Sequence, residues 1–179
     1  MRHFRLPFEV ASPPFDEESI PFEGDPETYV RRLAEGKAES LADAHAGKII
    51  ISADTLVFYN GQVFGKPKGR EGAFAMLNEL AGVWHTVYTA VCGFRDGTRA
   101  VEVARTAVLL RQLTADQIYR YIDAVESGDK AAGYAVQGSG YMIIKGIEGC
   151  FYNAMGLPIA ALTNVLSHLG VDLWEYLPK

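Results

Sequence analysis

No apolar run in the chain approaches the roughly 18 residues that cross a bilayer, and the opening MRHFRLPFEV holds no signal-peptide apolar segment. These two absences exclude a helical membrane protein and place the chain in the cytoplasm. Cysteine is scarce: Cys92 and Cys150 are the two present, neither lies in a metal-ligand spacing, and both are expected as buried reduced thiols. The histidines His3, His45, His85 and His168 are scattered without spacing, which argues against a metal cluster and against a His-activated nucleophile. Positive charge is in deficit, with a net charge of −5. A broad nucleic-acid-binding face needs the opposite balance, so any anionic ligand must meet a local basic cluster. The dinucleotide fingerprint GxGxxG after a strand and the P-loop GxxxxGK[ST] are missing, and GSGY near Ser139 is not a nucleophile elbow.

What remains is an ordinary globular composition, 49% apolar and 22% charged, with a mean hydropathy of +0.02. At 179 residues the chain is expected to form a single domain over 1–179. The most informative stretch is KIIISADTLVFYNGQVFGKP, from Lys48 to Pro67. Ile49 to Ile51 and Leu56 to Tyr59 give a β-branched and aromatic run that reads as buried strand. Asn60-Gly61 supplies a type I′ hairpin turn before Gln62, Val63 and Phe64 start the return strand. Two charges interrupt this apolar hairpin, Asp54 in mid-strand and Lys66 just after it. A carboxylate in a buried strand costs several kcal/mol unless it is paired or holds a metal, so Asp54 requires a partner.

Along the rest of the chain, Leu6–Ser12 reads as a short strand ending at Pro13-Pro14. Asp25-Pro26 opens a helix expected to run to about Ala46, with Val30, Leu33, Leu41 and Ala44 on one face. Lys37 lies on that same face, either snorkelling from the rim of the stripe or reaching a ligand. The spacing predicts a helix over Arg70–Ala81, strands over His85–Phe94 and Arg99–Leu110 joined at Asp96-Gly97, and a helix opened by a Thr114/Gln117 capping box and ending near Ser127-Gly128. A strand over Tyr141–Lys145 and a last helix from Leu157-Pro158 to Gly170 complete the pattern. Interleaved helices and hairpins define an α/β fold, bordering on α+β, with a mixed sheet.

Four polar residues stand where packing alone would not place them: Glu17, Lys37, Asp54 and Lys66. Two carboxylates and two lysines from separate elements suit a polyanion held with a divalent cation, since Mg²⁺ typically takes one or two protein carboxylates and completes its shell with phosphate and water. GKPKGRE carries further basic residues into a helix start, which also favours anions. Gln137, in YAVQGSG, can read a base edge through its amide or merely cap a turn.

These residues carry a resemblance to the Maf family of nucleoside triphosphate pyrophosphatases. YVRRLAEGKAESLA resembles the family helix with its Lys-Ala pair, ISADTLV its Ala-Asp-Thr strand, and VFGKP its Gly-Lys-Pro turn. LAGVWHTVYTAV, SGDKAAGYAVQG and IEGCFYNAMGLPI resemble three further family segments in the same order. The resemblance implies a mixed, bent sheet flanked by helices, of the Maf and inosine triphosphate pyrophosphatase kind, in a cytoplasmic homodimer. It also implies hydrolysis of a nucleoside triphosphate to the monophosphate and pyrophosphate, with a Mg²⁺ or Mn²⁺ cofactor. Residue by residue, it puts the family's acidic strand residue on Asp54, its loop glutamate on Glu17, its phosphate-binding lysines on Lys37 and Lys66, and its base-side Thr and Gln on Thr55 and Gln137. Asp54 would be a metal ligand, shared with Glu17, or the general base. Ala-Asp-Thr resembles the branch acting on dTTP and UTP, whereas the 7-methyl-GTP branch carries Ser-Asp-Gln there, so pyrimidine nucleotides, modified ones included, are the expected substrates. Neither nucleic acid nor membrane is an expected partner.

The family opens with a strand and an SxSPRR phosphate-binding turn that have no counterpart ahead of LPFEVASPPFDE. Met1 falls in what reads as the tail of a helix, which favours a misplaced start over a real loss of the clamp. The alternative is a nucleotide-binding regulatory protein with weak or no hydrolysis.

Overall fold

A computed structural model describes residues 4–125, 128 and 130–178. Met1, His3 and Ser127 lie outside the described residues. The first described segment is no strand. Pro7 has no N–H for a ladder, the stretch is largely exposed with Val10 at 89%, and it is tied down instead by the Arg5 N–H donating to the Tyr176 carbonyl at 2.8 Å.

Helix α1 (Pro26–Glu39) starts where the Asp25 carboxylate accepts the N–H groups of Glu27 and Thr28 at 3.3 and 3.0 Å, with Pro26 at a position that needs no N–H. It stops well short of Ala46. The Ser40 hydroxyl donates to the Lys37 carbonyl at 2.9 Å, and the Leu41 N–H turns to Ala38 at 3.2 Å, so the chain tightens into a 3₁₀ turn at Asp43–His45 and leaves Ala44 exposed. Strands β1 (Ile50–Tyr59) and β2 (Gln62–Phe64) meet through Asn60 and Gly61, whose φ values of 48° and 81° are the left-handed pair that a type I′ turn demands. Helix α2 (Gly69–Leu80) follows. Strands β3 (Trp84–Arg95) and β4 (Thr98–Leu110) turn the same way through Asp96 and Gly97.

Helix α3 (Ala115–Ala124) has the expected capping box, Thr114 and Gln117 each bonding the other's backbone N–H. The strand expected over Tyr141–Lys145 lies further along, as β5 (Ile144–Glu148). Residues Gly138–Met142 wind into a 3₁₀ turn so tight that a Cβ on Gly140 would overlap the Ala135 carbonyl, and Tyr141 and Met142 point outward, 71% and 62% exposed. A four-residue helix without a sequence signal, α4 (Phe151–Ala154), precedes α5 (Ile159–His168), which Pro158 opens and Gly170 follows with φ of 80°.

The sheet runs β2-β1-β3-β4-β5. The expected class, a sheet flanked by helices, is what the structure has, and its four ladders among the described residues are all antiparallel. Side chains alternate along β1. Ile50 and Leu56 join Val30, Ala34 and Ala38 of α1 on one face, with Ala90 and Cys92 of β3. The other face is covered by α5 through Leu162, Val165 and Leu166, and by α2 and α3 through Leu77, Leu80 and Ile118. Each such fully buried aliphatic side chain contributes about 1.5–3 kcal/mol. Both cysteines are free thiols, but of the two expected to be buried only Cys92 is, and burial pushes its thiol up to about 12, whereas Cys150 is half-buried. No helix among the described residues is long and apolar enough to cross a membrane.

His85 of β3 is 3% exposed, and its Nε2 lies 2.6 Å from the Tyr134 hydroxyl, joining the sheet to residues 131–137. Burial pulls its pKa down to about 4, against the opposing pull of the Val83 backbone. The folded state therefore prefers the neutral ring. That preference supports the fold fully above the free value of 6.5 and is lost as pH falls from there through about 4. Wild type is expected to lose about 3 kcal/mol over that window in urea titrations, and His85→Gln to lose much less. Parallel losses in the two proteins would remove His85 as the cause.

Candidate active site

Over Ile50–Leu56, β1 has β3 on one side, while β2 pairs with it only at Val57, Phe58 and Tyr59. A cleft of about 490 Å³ opens at this place, and Asp54 from one face of the strand and Thr55 from the other both line it. The structure brings all six residues singled out from the sequence to this one cleft: Glu17, Lys37, Asp54, Thr55, Lys66 and Gln137.

At its centre the Lys37 ammonium is paired with the Asp54 carboxylate and lies 2.9 Å from Glu17 Oε1. The Lys37 side chain is 18% exposed and that of Asp54 is 10% exposed, so Lys37 is no rim lysine with its head in water. Burial pulls the Lys37 pKa down, but the hydrogen bond and charge of Asp54, and then those of Glu17, outweigh it and leave the pKa raised. The Asp54 carboxyl is also raised. Burial is the chief cause and the Glu17 charge adds to it, while Lys37 opposes both. A buried carboxylate and an exposed one, Glu17 being 53% exposed, share one ammonium here, and the desolvated Asp54 is the acid that holds a proton more firmly than it would in water. Folding thus favours protonated Asp54, and its ionisation subtracts stability as pH rises through the raised pKa. Lys37 works in the alkaline range: its contribution is complete below 10.5 and is lost as pH climbs through its higher folded value.

Glu17 is held in place by aromatic contacts on either side of it. Phe15 packs its ring against α1 at Gly36, where a Cβ would overlap ring atoms Cε2 and Cζ. Phe22 lies edge-on to Tyr29 at 5.5 Å between centroids and touches Phe58 at 6.1 Å. Between them a 3₁₀ turn, Glu17–Ser19, is capped by the Asp16 carboxylate accepting the Glu18 N–H at 3.1 Å. The loop is thereby laid along the helix that carries Lys37.

Lys66 enters from the turn after β2. The Gly65 carbonyl there accepts the Ala132 N–H at 2.8 Å, which docks residues 131–137 against the turn and brings Lys130 into the cleft lining. Ala132 adopts φ of 54°, a left-handed conformation held by full burial. The Gln137 carbonyl accepts the Gly140 N–H at 3.2 Å, whereas its side chain makes no cap bond, so of the two readings of this amide the turn-capping one is not used. Arg70 is not part of the cleft. Its guanidinium is committed to Asp123 at 2.8 and 2.9 Å and lies 4.2 Å over the Tyr119 ring, which ties α2 to α3. Sequence reasoning missed Tyr29, Leu33, Lys130, Tyr134, Met155 and Gly156 as lining residues. Tyr29 and Leu33 were within reach of it, at eight and four residues before Lys37 on the same helix.

A sheet-edge cleft lined by two acids paired to Lys37, by a second lysine, Lys66, and by a threonine and a glutamine amide suits a polar, anionic small molecule. The model of the family described as Maf-like protein matches residues 1–169, and the chain belongs to that family. A dTTP/UTP pyrophosphatase of Chlamydia caviae is 41% identical over 178 residues, covering 99% of this chain and 91% of that protein. A dTTP/UTP pyrophosphatase of Clostridium perfringens is 41% identical over 169 residues, 93% of this chain and 88% of its own length. A nucleoside triphosphate pyrophosphatase of Chlamydia muridarum is 40% identical over 175 residues, 97% of this chain and 89% of that one.

The Phe15 contact separates helix stability from loop placement. Gly36→Ala removes an interior helix glycine, a gain of about 0.5–1 kcal/mol, but its methyl group evicts the Phe15 ring. The thermal midpoint is expected to stay near that of wild type or rise, while amide hydrogen exchange accelerates over residues 15–20. Unchanged exchange there would show that Phe15 does not hold the Glu17 loop.

Proposed function

We propose that the cleft binds a nucleoside triphosphate and that the chain hydrolyses it to the monophosphate and pyrophosphate, with pyrimidine nucleotides of the dTTP and UTP kind, modified ones included, as substrates. The observation that carries this reading is the buried Lys37 between Asp54 and Glu17, in a cleft that Thr55 and Gln137 also line. The relatives named as pyrophosphatases support hydrolysis over a purely regulatory nucleotide-binding role.

Family pyrophosphatases are generally metal-dependent. Among the described residues no group of three or more His, Cys, Asp and Glu side chains converges, but Mg²⁺ asks for less than that. Asp54 and Glu17 fit, being hard oxygen donors already gathered around a cation, the Lys37 ammonium. A bound divalent ion would offset phosphate charge and polarise a phosphoryl oxygen. Lys37, relieved of part of its pairing, and Lys66 neutralise the triphosphate oxygens, with charge-assisted bonds about twice as strong as neutral ones. Asp54, whose basicity burial raises, accepts the proton of the attacking water as its oxygen bonds to the α-phosphorus. The bond from that phosphorus to the bridging oxygen breaks, and pyrophosphate leaves. Thr55 and Gln137 read the base. The resemblance also supports a homodimer in the cytoplasm.

Asp54→Asn keeps the shape but cannot take a proton. Pyrophosphate release from UTP with Mg²⁺ is expected to fall at least a hundredfold, while the protein stays folded at neutral pH because Glu17 still pairs Lys37. Near-normal turnover would end the assignment. For Lys37→Met, titration with a non-hydrolysable triphosphate at fixed Mg²⁺ is expected to show binding weaker by about 1.5–3 kcal/mol. Equal affinities would leave Lys37 as a structural counter-ion of Asp54.

A further inference from the structure

The Thr55 hydroxyl does not face the cleft unaided. Its oxygen lies 2.9 Å from the hydroxyl oxygen of Thr89, directly across the ladder on β3. The Thr89 hydroxyl in turn lies 3.2 Å from the main-chain carbonyl of Asn153 in α4 and is fully buried. A carbonyl can only accept, and each hydroxyl has one proton. With Thr89 donating to Asn153, Thr89 can only accept from Thr55, and the Thr55 proton is then used inside the protein. In this order alone do both protons find acceptors within the protein. In the reverse order the Thr89 proton goes to Thr55, the Asn153 carbonyl keeps only the Gly156 N–H at 2.8 Å, and a buried hydrogen bond is forfeited.

We propose that Thr89 fixes Thr55 as a hydrogen-bond acceptor toward the ligand, so that the cleft selects a base presenting an N–H at its pairing edge, as uracil and thymine do at N3, over one presenting a lone pair there, as cytosine does. The inference rests on the cleft being a nucleoside triphosphate site with Thr55 on its base side. Thr89 is a positioning residue, since it lies behind Thr55 and acts through it. Gly156 keeps the approach open: a Cβ there would stand 3.4 Å from the Thr55 hydroxyl oxygen, at a φ of 94° that already disfavours any other residue.

The test is the ratio of kcat/KM for UTP to that for CTP. Thr89→Val preserves the shape and the β-propensity but removes the acceptor, which frees the Thr55 proton to turn into the cleft. The ratio is expected to fall about tenfold, the worth of one net hydrogen bond, chiefly through a gain on CTP. Thr89→Ser keeps the hydroxyl and is expected to keep the ratio. An unchanged ratio in folded Thr89→Val overturns the proposal. Should that variant not fold, wild type decides it with 5-fluorouridine triphosphate, whose N3 proton is more acidic than that of UTP. Its kcat/KM relative to UTP is expected to drop as pH rises through that ionisation, and a constant ratio overturns the proposal. A wild type that hydrolyses no triphosphate refutes the proposed reaction and not the relay, which is then judged by whether the UTP-to-CTP affinity ratio falls in Thr89→Val.

Discussion

A carboxylate buried in the middle of a strand sets the terms for the rest of this molecule. Asp54 is 10% exposed, and no fold tolerates such a charge without a counter-charge close by. The counter-charge comes from α1, which must lie close enough to the sheet for a lysine stem to reach it. Ala34 and Ala38, both fully buried, provide the short side chains that permit the approach, and the Ser52 hydroxyl donates to the Ala34 carbonyl to hold it. With Glu17 added, two acids share one base, and burial lifts the affinity of Asp54 for a proton instead of hiding the imbalance. The proposed divalent ion would offset that excess. Packing that merely needed a neutral pair would have stopped at Lys37 and Asp54.

The second constraint is where β2 stops. A strand in the interior of a sheet offers its two faces to two different layers, and adjacent residues never meet the same ligand. Here β2 pairs with β1 at three positions only, and the strand edge before Val57 borders the cleft. A ligand can therefore lie across the edge and touch Asp54 on the face covered by α1 and Thr55 on the face covered by α4. This suits a substrate with two chemically unlike ends. In the proposed reading the charged end would meet Lys37, Glu17 and Lys66, and the base end Thr55 and Gln137.

Much of this was legible in the sequence wherever a residue broke a local rule. Asp54 in an apolar run and Lys37 in an apolar stripe violated their surroundings, and both proved to be partners of each other. The Asn60-Gly61 and Asp96-Gly97 turns were readable because few residues accept φ above zero. What escaped was governed by contacts between distant parts of the chain. At the end of α1 a serine hydroxyl bonds the Lys37 carbonyl, and ahead of β5 Gly140 packs against the Ala135 carbonyl. Lys68 and Arg70 looked like an extension of the anion site, yet Arg70 binds Asp123, 53 residues away in sequence, a pairing that local pattern cannot reveal.

The least legible element is the one to which Thr89 is bonded, α4. α4 has four residues and no side-chain cap, and what secures it is Asn153, with no exposed surface. The Asn153 amide donates to the Val87 carbonyl at 3.1 Å and to the Thr106 hydroxyl at 2.9 Å, which ties the short helix to β3 and β4 at once. Thr106 is itself saturated, accepting the Cys150 N–H at 3.1 Å and donating to the Cys150 carbonyl at 3.0 Å. A network with so few free protons has little freedom to rearrange. The Asn153 carbonyl therefore stays where Thr89 can reach it, and a helix too short to be stable alone holds the direction of a hydroxyl proton at the cleft.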